Sequence, residues 1–238
     1  MGQAAALSPA PGKPDTMGSK RRDWTEIGIA YALILAVEWT PRPWQRILWI
    51  VAAVGIAVIL WRSFDGWKAM GLRKANFGRS LWIVGAALVL AGSAIVVAAR
   101  MHTLLVVDGA WALPETFGAY ALWTGVQQFL LQGFFLLRLQ RVIPGGWQPA
   151  LAAAVMFSAA HVPNPFLMPV TLIWGLAACL LFLRYRNLYP LMMAHAILGI
   201  TVAITVPGPV VHNMRVGLAY LTYHPHTHAH HLHLLSQP

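Results

Sequence analysis

Long apolar stretches separated by short polar segments recur along most of the chain. They predict seven membrane-spanning helices, at residues 26–40, 46–62, 81–99, 116–137, 148–162, 166–183 and 188–207. A helix needs about 20 mostly apolar residues to cross the hydrocarbon core of a bilayer, so the first and fifth spans are short. The apolar runs are continuous, which argues against the alternating strands of a membrane barrel. The pattern therefore predicts an all-α, polytopic bundle of transmembrane helices.

The composition agrees with a protein whose surface faces lipid. Hydrophobic residues make up 58% of the chain and charged residues only 10%, whereas soluble domains carry about 25% charged residues. The formal net charge of +10 does not indicate nucleic acid as a partner, because Lys and Arg lie between the apolar stretches and form no basic face. The expected partner is the lipid bilayer, and the oligomeric state is not predicted.

The distribution of Lys and Arg predicts the orientation. With a cytoplasmic N-terminus, the cytoplasmic segments hold thirteen of these residues and the external segments hold four. Cytoplasmic loops of membrane proteins carry the excess of positive charge, so the N-terminus is expected inside and the C-terminus outside. Residues 1–25, rich in Pro, Gly and Ser, are predicted to form a disordered cytoplasmic tail, residues 26–207 the transmembrane domain, and residues 208–238 an extracytoplasmic His-rich tail.

The C-terminal tail contains six histidines within residues 224–233. Neutral imidazoles at this density bind divalent metals loosely, but their spacing is irregular and defines no fixed geometry. Two interpretations stay open: a flexible polar tail with incidental metal affinity, or a segment that delivers or senses metal.

Polar side chains within the predicted spans are the candidates for chemistry, because they are costly in a bilayer. His161 and His195 each lie in an apolar segment, and Gln127 and Gln128 are adjacent amides with Gln132 about one turn further. On a helix, residues 128 and 132 share a face, whereas residue 127 points about 100° away from 128. An alternative interpretation of each histidine and each glutamine is a hydrogen-bonded residue in the core of the bundle. Two histidines on spans that are close to one another in sequence order nevertheless favour a shared site with the amides as its polar wall.

Carboxylates are scarce near these candidates. All the acidic residues precede residue 116: Asp15, Asp23, Glu26, Glu38, Asp65, Asp108 and Glu115. Glu115 lies roughly 18 Å from Gln127 along a helix, at 1.5 Å per residue, and is too far to act beside it. Glu38 reaches the site only if the first span packs against the fourth; otherwise we expect an interfacial residue paired with Arg42.

The motifs of residues 116–207 resemble the CAAX-protease and bacteriocin-processing (CPBP, Abi) family of intramembrane metalloproteases. That family has Glu-Glu-x-x-x-Arg followed by Gly-Phe, then Phe-x-x-x-His, then His-x-x-x-Asn or Asp. Here these align with QQFLLQGFFLLRL, with Phe157 to His161, and with His195 to Gly199. The resemblance implies a multi-pass protein of the bacterial plasma membrane that binds a divalent metal, zinc, and acts on a prenylated peptide or lipid.

The chain departs from the family in its first and third motifs. Gln127 and Gln128 replace the glutamate pair, Gln132 replaces the arginine, and Gly199 replaces the final Asn or Asp. In the family the first glutamate is thought to activate water, but a carboxamide cannot accept that proton near neutral pH. Losing both acids also removes negative charge that a divalent cation needs. The arginine would lack its partner without the acids, so the three changes indicate a coupled replacement.

We therefore predict a shared polar site within the bundle. Its catalytic candidates are Gln127, Gln128, His161 and His195, with the two histidines as metal ligands. Its pocket candidates are Gln132, Phe157, Asn164 and Gly199, where Asn164 stands between two prolines that end a helix. Whether the chain is an enzyme stays open between three functions: a CAAX-protease-like metalloprotease or other hydrolase with a degenerate motif, a catalytically inactive scaffold or lipid- or peptide-binding relative, and a non-proteolytic enzyme that acts on an isoprenoid lipid.

Overall fold

The computed structural model describes residues 17–105 and 112–223, and all regular structure in these ranges is helical. The elements in chain order are α1 (Met17–Glu38), α2 (Arg42–Arg62), α3 (Phe77–Ser80), α4 (Trp82–Arg100), α5 (Ala112–Gln128), a π-helical segment (Phe129–Leu136), α6 (Leu137–Val142), α7 (Gln148–Ala159), α8 (Leu167–Tyr185), α9 (Tyr189–Thr205), α10 (Gly208–Val211), a 3₁₀ turn (His212–Met214) and α11 (Gly217–Leu221). The all-α prediction is confirmed.

Three helices in the described ranges are long and apolar enough to cross a membrane. They are Arg42–Arg62, Phe77–Arg100 and Leu167–Tyr185, and the apolar helices Gln148–Ala159 and Tyr189–Thr205 are shorter. Each of the seven predicted spans coincides with a helix, but the crossing of the bilayer by all seven and the cytoplasmic N-terminus stay predictions. α2 packs mainly against α1 and otherwise exposes large apolar side chains, as expected of a helix that contacts lipid.

The helical structure extends into both predicted tails. α1 begins at Met17, so residues 17–25 are helical and not the disordered segment that we expected. Residues 208–223 form short helices that pack on the bundle. Residues 1–16 and the six histidines of residues 224–233 lie outside the described part of the chain.

A buried arginine joins α1 and α2 to α6. The side chain of Arg138 is fully buried. Its Nε donates a hydrogen bond to Glu26 of α1 at 2.8 Å, and its Nη2 donates to the hydroxyl of Ser63, just after α2, at 2.6 Å. The Ser63 hydroxyl donates in turn to Glu26 at 2.8 Å. The guanidinium also lies 3.8 Å from the ring centroid of Phe134. This charge is therefore both paired and hydrogen-bonded, which a buried charge requires.

A second arginine extends the same network toward the surface. Arg141 donates from Nε and Nη2 to the two carboxylate oxygens of Asp23, at 2.9 and 2.8 Å, and from Nη1 to Asp65 at 3.1 Å. Burial lowers the pKa of Arg141, whereas its hydrogen bond to Asp23 and the charges of both carboxylates raise it, and the net shift is upward. The early start of α1 follows from these contacts, because ionic bonds hold its polar first turns against α6.

Small residues allow α7 and α8 to pack closely. A Cβ placed on Gly175 of α8 would lie 3.4 Å from the Cα of Ala154 and 3.2 Å from the ring of Phe157, both on α7. Close approach through small residues is the usual way in which apolar helices pack in a bilayer. The α7–α8 hairpin carries His161 in its connecting turn, and this packing fixes the place of that turn in the bundle.

Candidate active-site cavity

A cavity of about 1250 Å³ lies between α1, α4, α5, α7, α8 and α9, and most of its lining is apolar. Polar side chains in the lining include Glu38, Tyr120, Gln127, His161, Trp174 and His195. The two histidines that the sequence predicted to share a site therefore line the same cavity, together with one amide of the glutamine pair.

The turn after α7 sets the hydrogen bonding of His161. Its Nδ1 lies 2.7 Å from the carbonyl oxygen of Phe157, one helical turn earlier. A carbonyl oxygen can only accept, so Nδ1 must carry the proton. In the neutral imidazole the lone pair is then on Nε2. His161 thus keeps a hydrogen-bond acceptor on Nε2.

His195 has the opposite arrangement of its ring proton. Its Nδ1 lies 2.9 Å from Nε2 of Gln128, whose Oε1 accepts a hydrogen bond from Gln132 Nε2 at 2.8 Å. An amide NH₂ group can only donate, so Nδ1 of His195 accepts and the proton of the neutral ring is on Nε2. The two histidines therefore offer complementary groups, an acceptor at His161 and a donor at His195.

Aromatic rings join the two histidines. The ring of Phe157 has its centroid 4.9 Å from that of His161 and 5.9 Å from that of His195. The ring of Trp174 lies 5.9 Å from His195, and its buried Nε1 has no hydrogen-bond partner among the described residues. Phe157, a predicted pocket residue, lies in the lining of the cavity, whereas Trp174 is a donor that the sequence analysis did not identify.

The three glutamines divide between the cavity and the core behind it. Gln127 is half-buried and lines the cavity, while Gln128 and Gln132 are fully buried. The contact between Gln128 and Gln132 agrees with the predicted shared face, and the different place of Gln127 agrees with its predicted angle. The π-helical segment that begins at Phe129 was not predicted; π-helical turns are rare and are frequently found at functional sites.

The amide of Asn187 holds the start of the helix that carries His195. Its Nδ2 donates to the carbonyl oxygens of Arg73 and Ala75 at 2.7 and 2.9 Å, and its Oδ1 accepts from the backbone N–H of Tyr189 at 3.1 Å. Asn187 therefore ties α9 to the segment between α2 and α4.

Asn164 has a structural place beside the cavity. It is fully buried, and its Oδ1 accepts from the backbone N–H groups of Phe166 and Leu167 at the start of α8. Its Nδ2 donates to the carbonyl oxygens of Val211 and Arg215. The side chain that we expected at the pocket mouth thus holds the segment after α9 against the α7–α8 turn.

Gly199 lines the cavity one helical turn after His195, and Tyr120 of α5 lies directly against it. A Cβ built on Gly199 would lie 2.0 Å from the Tyr120 hydroxyl oxygen. The phenol thus occupies the space that a side chain at 199 would need. The sequence analysis missed Tyr120, although a hydroxyl within an apolar span was a usable signal, since a buried tyrosine hydroxyl usually has a partner.

The residues in the cavity do not fit a zinc site. Residues 17–105 and 112–223 contain no group of three or more His, Cys, Asp or Glu side chains that could hold a metal ion. Catalytic zinc usually has three protein ligands, and only two imidazoles are present here. Nδ1 of His195 already accepts from an amide. The prediction of zinc with His161 and His195 as its ligands therefore has no support from the side chains of this cavity.

The comparison with known proteins concerns the same region of the chain. Residues 109–201 match the family model described as type II CAAX prenyl endopeptidase Rce1-like. This range includes all three motifs, from Gln127 to Gly199. No curated protein and no solved structure matches the chain. The family match and the long apolar helices agree: the chain is an integral membrane protein, and its residues 109–201 are similar to the CAAX prenyl endopeptidases.

Proposed function

We propose that this protein is a CAAX-protease-like intramembrane hydrolase with a divergent catalytic motif, and that its cavity takes a prenylated peptide or a related lipid. The observation that carries the proposal is the location of His161 and His195 in one large apolar cavity. Ligand pockets for small molecules are usually about 300–1,000 Å³. A larger, mostly apolar cavity is better suited to a long hydrocarbon chain than to a small polar metabolite. Its location in the bacterial plasma membrane stays a prediction.

The complementary histidines support hydrolysis at the polar part of this cavity. His161 has an acceptor nitrogen that can hold a water molecule, and His195 has an N–H group that can donate to a carbonyl oxygen. A fixed donor at the oxygen of the scissile carbonyl stabilises the negative charge that develops there during attack by water. The Gln128 and Gln132 amides keep His195 in the donating form, and Gln127 adds a neutral hydrogen-bonding group to the wall.

The proposal is tested with the full chain in lipid nanodiscs and a farnesylated, fluorescence-quenched CAAX peptide. We expect the wild type to bind and cleave the peptide. His161→Ala should lower kcat by about 100-fold, because it removes the acceptor that positions the attacking water. His102→Ala is the matched control, because His102 is exposed and lies outside the cavity lining. Equal loss of activity in both variants would contradict the proposal.

A specific observation favours a second function, that of a catalytically inactive binding protein. The motif that carries two acids in the family has two amides here, and one of them is engaged with His195 and Gln132. An amide network of this kind is stable and neutral, as expected of a site that binds without reacting. A wild-type protein that binds the farnesylated peptide but releases no product would favour this function over hydrolysis.

A further inference from the structure

Glu38 lies at the C-terminal end of α1, and its side chain lines the same cavity as His161 and Gln127. It is half-buried. It forms no hydrogen bond or ion pair with any other described residue, so the expected pair with Arg42 is not formed. A carboxylate partly removed from water without a partner is costly. Packing and pairing therefore do not account for this residue.

One glycine connects Glu38 to the turn that carries His161. The backbone N–H of Gly217 donates to the carbonyl oxygen of Val162, the residue after His161, at 2.8 Å. On its other side, a Cβ built on Gly217 would lie 2.3 Å from the carbonyl oxygen of Glu38 and 2.9 Å from its Cβ. Gly217 also has a φ of +55°, which favours glycine. Gly217 thus lies between the backbone of Glu38 and the turn that carries His161, in contact with both.

Glu38 also lines a second pocket, of about 400 Å³, together with Gln45, Arg46 and Trp49. Glu38 is therefore a residue that the smaller pocket and the main cavity share. The cation of Arg46 is on the side of the smaller pocket, so it does not enter the apolar cavity.

We propose that Glu38 is the general acid–base of the reaction and supplies the carboxylate that Gln127 and Gln128 lack. This inference rests on the proposed hydrolase function. Glu38 accepts a proton from water as the water oxygen bonds to the carbonyl carbon of the scissile peptide bond. The N–H of His195 donates to the carbonyl oxygen, which becomes negative. Glu38 then gives the proton to the amide nitrogen as the C–N bond breaks, so that one water is consumed and an acid and an amine are formed.

The experiment compares three carboxylate variants of the full chain in nanodiscs with the farnesylated peptide. Glu38→Gln keeps the size of the side chain and removes the base, so we expect kcat to fall about 100-fold or more with little change in the Kd of a non-cleavable analogue. Glu38→Asp should recover part of the activity. Glu115→Gln is the matched control, because Glu115 is exposed at the start of α5 and lies outside the cavity lining. The activity of this variant should equal that of the wild type.

Chemical labelling gives a measurement that does not depend on turnover. Dicyclohexylcarbodiimide, an apolar reagent that adds to carboxyl groups, should modify Glu38 in the wild type, and the non-cleavable analogue should protect it. Mass spectrometry of the labelled chain locates the adduct. Absence of this protection would overturn the proposal, because Glu38 would then lie outside the substrate site.

The outcomes separate the two proposals. If the wild type cleaves the peptide, His161→Ala does not, and Glu38→Gln retains full kcat, the role of Glu38 is overturned while the hydrolase function stands. If the wild type binds but cleaves nothing, both are overturned. Loss of kcat in Glu38→Gln with the Kd kept, partial rescue by aspartate and protection from the carbodiimide together support the role of Glu38.

Discussion

The hydroxyl oxygen of Tyr120 lies where the side chain of residue 199 would begin, 2.0 Å from a Cβ built on Gly199. The two residues are on different helices, α5 and α9, and α9 also carries His195. Their contact sets how closely α5 approaches α9 beside the histidine. The packing of α5 against α9 therefore requires glycine at position 199, because the phenol of Tyr120 occupies the space of a side chain there.

Gly199→Ala should destabilise the protein, because the added methyl group would overlap the Tyr120 ring and force it to move. Overpacking of a core usually costs about 1–3 kcal/mol. The measurement is unfolding in detergent, followed by circular dichroism. The same substitution at Gly125 of α5 is the control, since the nearest atom to a Cβ there is Met192 Sδ at 4.0 Å. Tyr120→Ala should remove most of the cost of Gly199→Ala; additive effects would contradict the contact.

Arg138→Met should destabilise the bundle strongly, because it leaves Glu26 and Ser63 in a buried network without their cation. Removal of one partner of a buried ion pair typically costs about 3–5 kcal/mol. Arg22→Met is the control, because Arg22 pairs with the same Glu26 at 3.1 Å from an exposed position and exposed pairs contribute about 0–1 kcal/mol. The double variant Glu26→Gln/Arg138→Met should regain part of the stability. Equal effects of the two arginine substitutions in a denaturant titration would contradict the network.

The hydrogen bond from Gln128 predicts the tautomer of His195. In the wild type, ¹⁵N NMR of labelled histidine should find the proton of His195 on Nε2 and that of His161 on Nδ1. Gln128→Glu should move the His195 proton to Nδ1, because a carboxylate accepts where the amide donates. Gln140→Glu is the control, since Gln140 bonds to Arg186. Its His195 signals should stay unchanged, and a wild-type proton on Nδ1 would refute the assigned hydrogen bond.

Metal content tests the zinc prediction directly. Residues 224–238 are deleted first, because their histidines are expected to bind metal whatever the cavity holds. The two imidazoles of the cavity, without a third ligand, should then retain well below one zinc ion per chain in elemental analysis. One tightly held ion that is lost in His161→Ala would contradict this expectation and show that the cavity completes its ligand set in another way.

Local sequence patterns predicted much of the candidate site. The expectations that were wrong, for Glu38 and Asn164, have a common cause. The pairing of Gln128 with Gln132 follows from helix periodicity, and the motif spacing located His161, His195 and Gly199. The expected Glu38–Arg42 pair is not formed, because proximity in the chain does not decide which way a side chain at a helix end points. The place of Asn164 was missed because its partners lie in a segment predicted to be a tail.

The sequence by itself determined the helical class, the membrane environment and the resemblance to the CAAX-protease family, because these depend on continuous apolar runs and on motifs with short, regular spacing. Only the tertiary structure decided that Glu38 and Tyr120 share a cavity with the two histidines, and that each imidazole holds its proton on a different nitrogen. The physical reason is that these features depend on how helices far apart in the chain pack together. Helix packing brings α1 and α5 beside α7 and α9, and the hydrogen bonds formed there set the chemistry of the site.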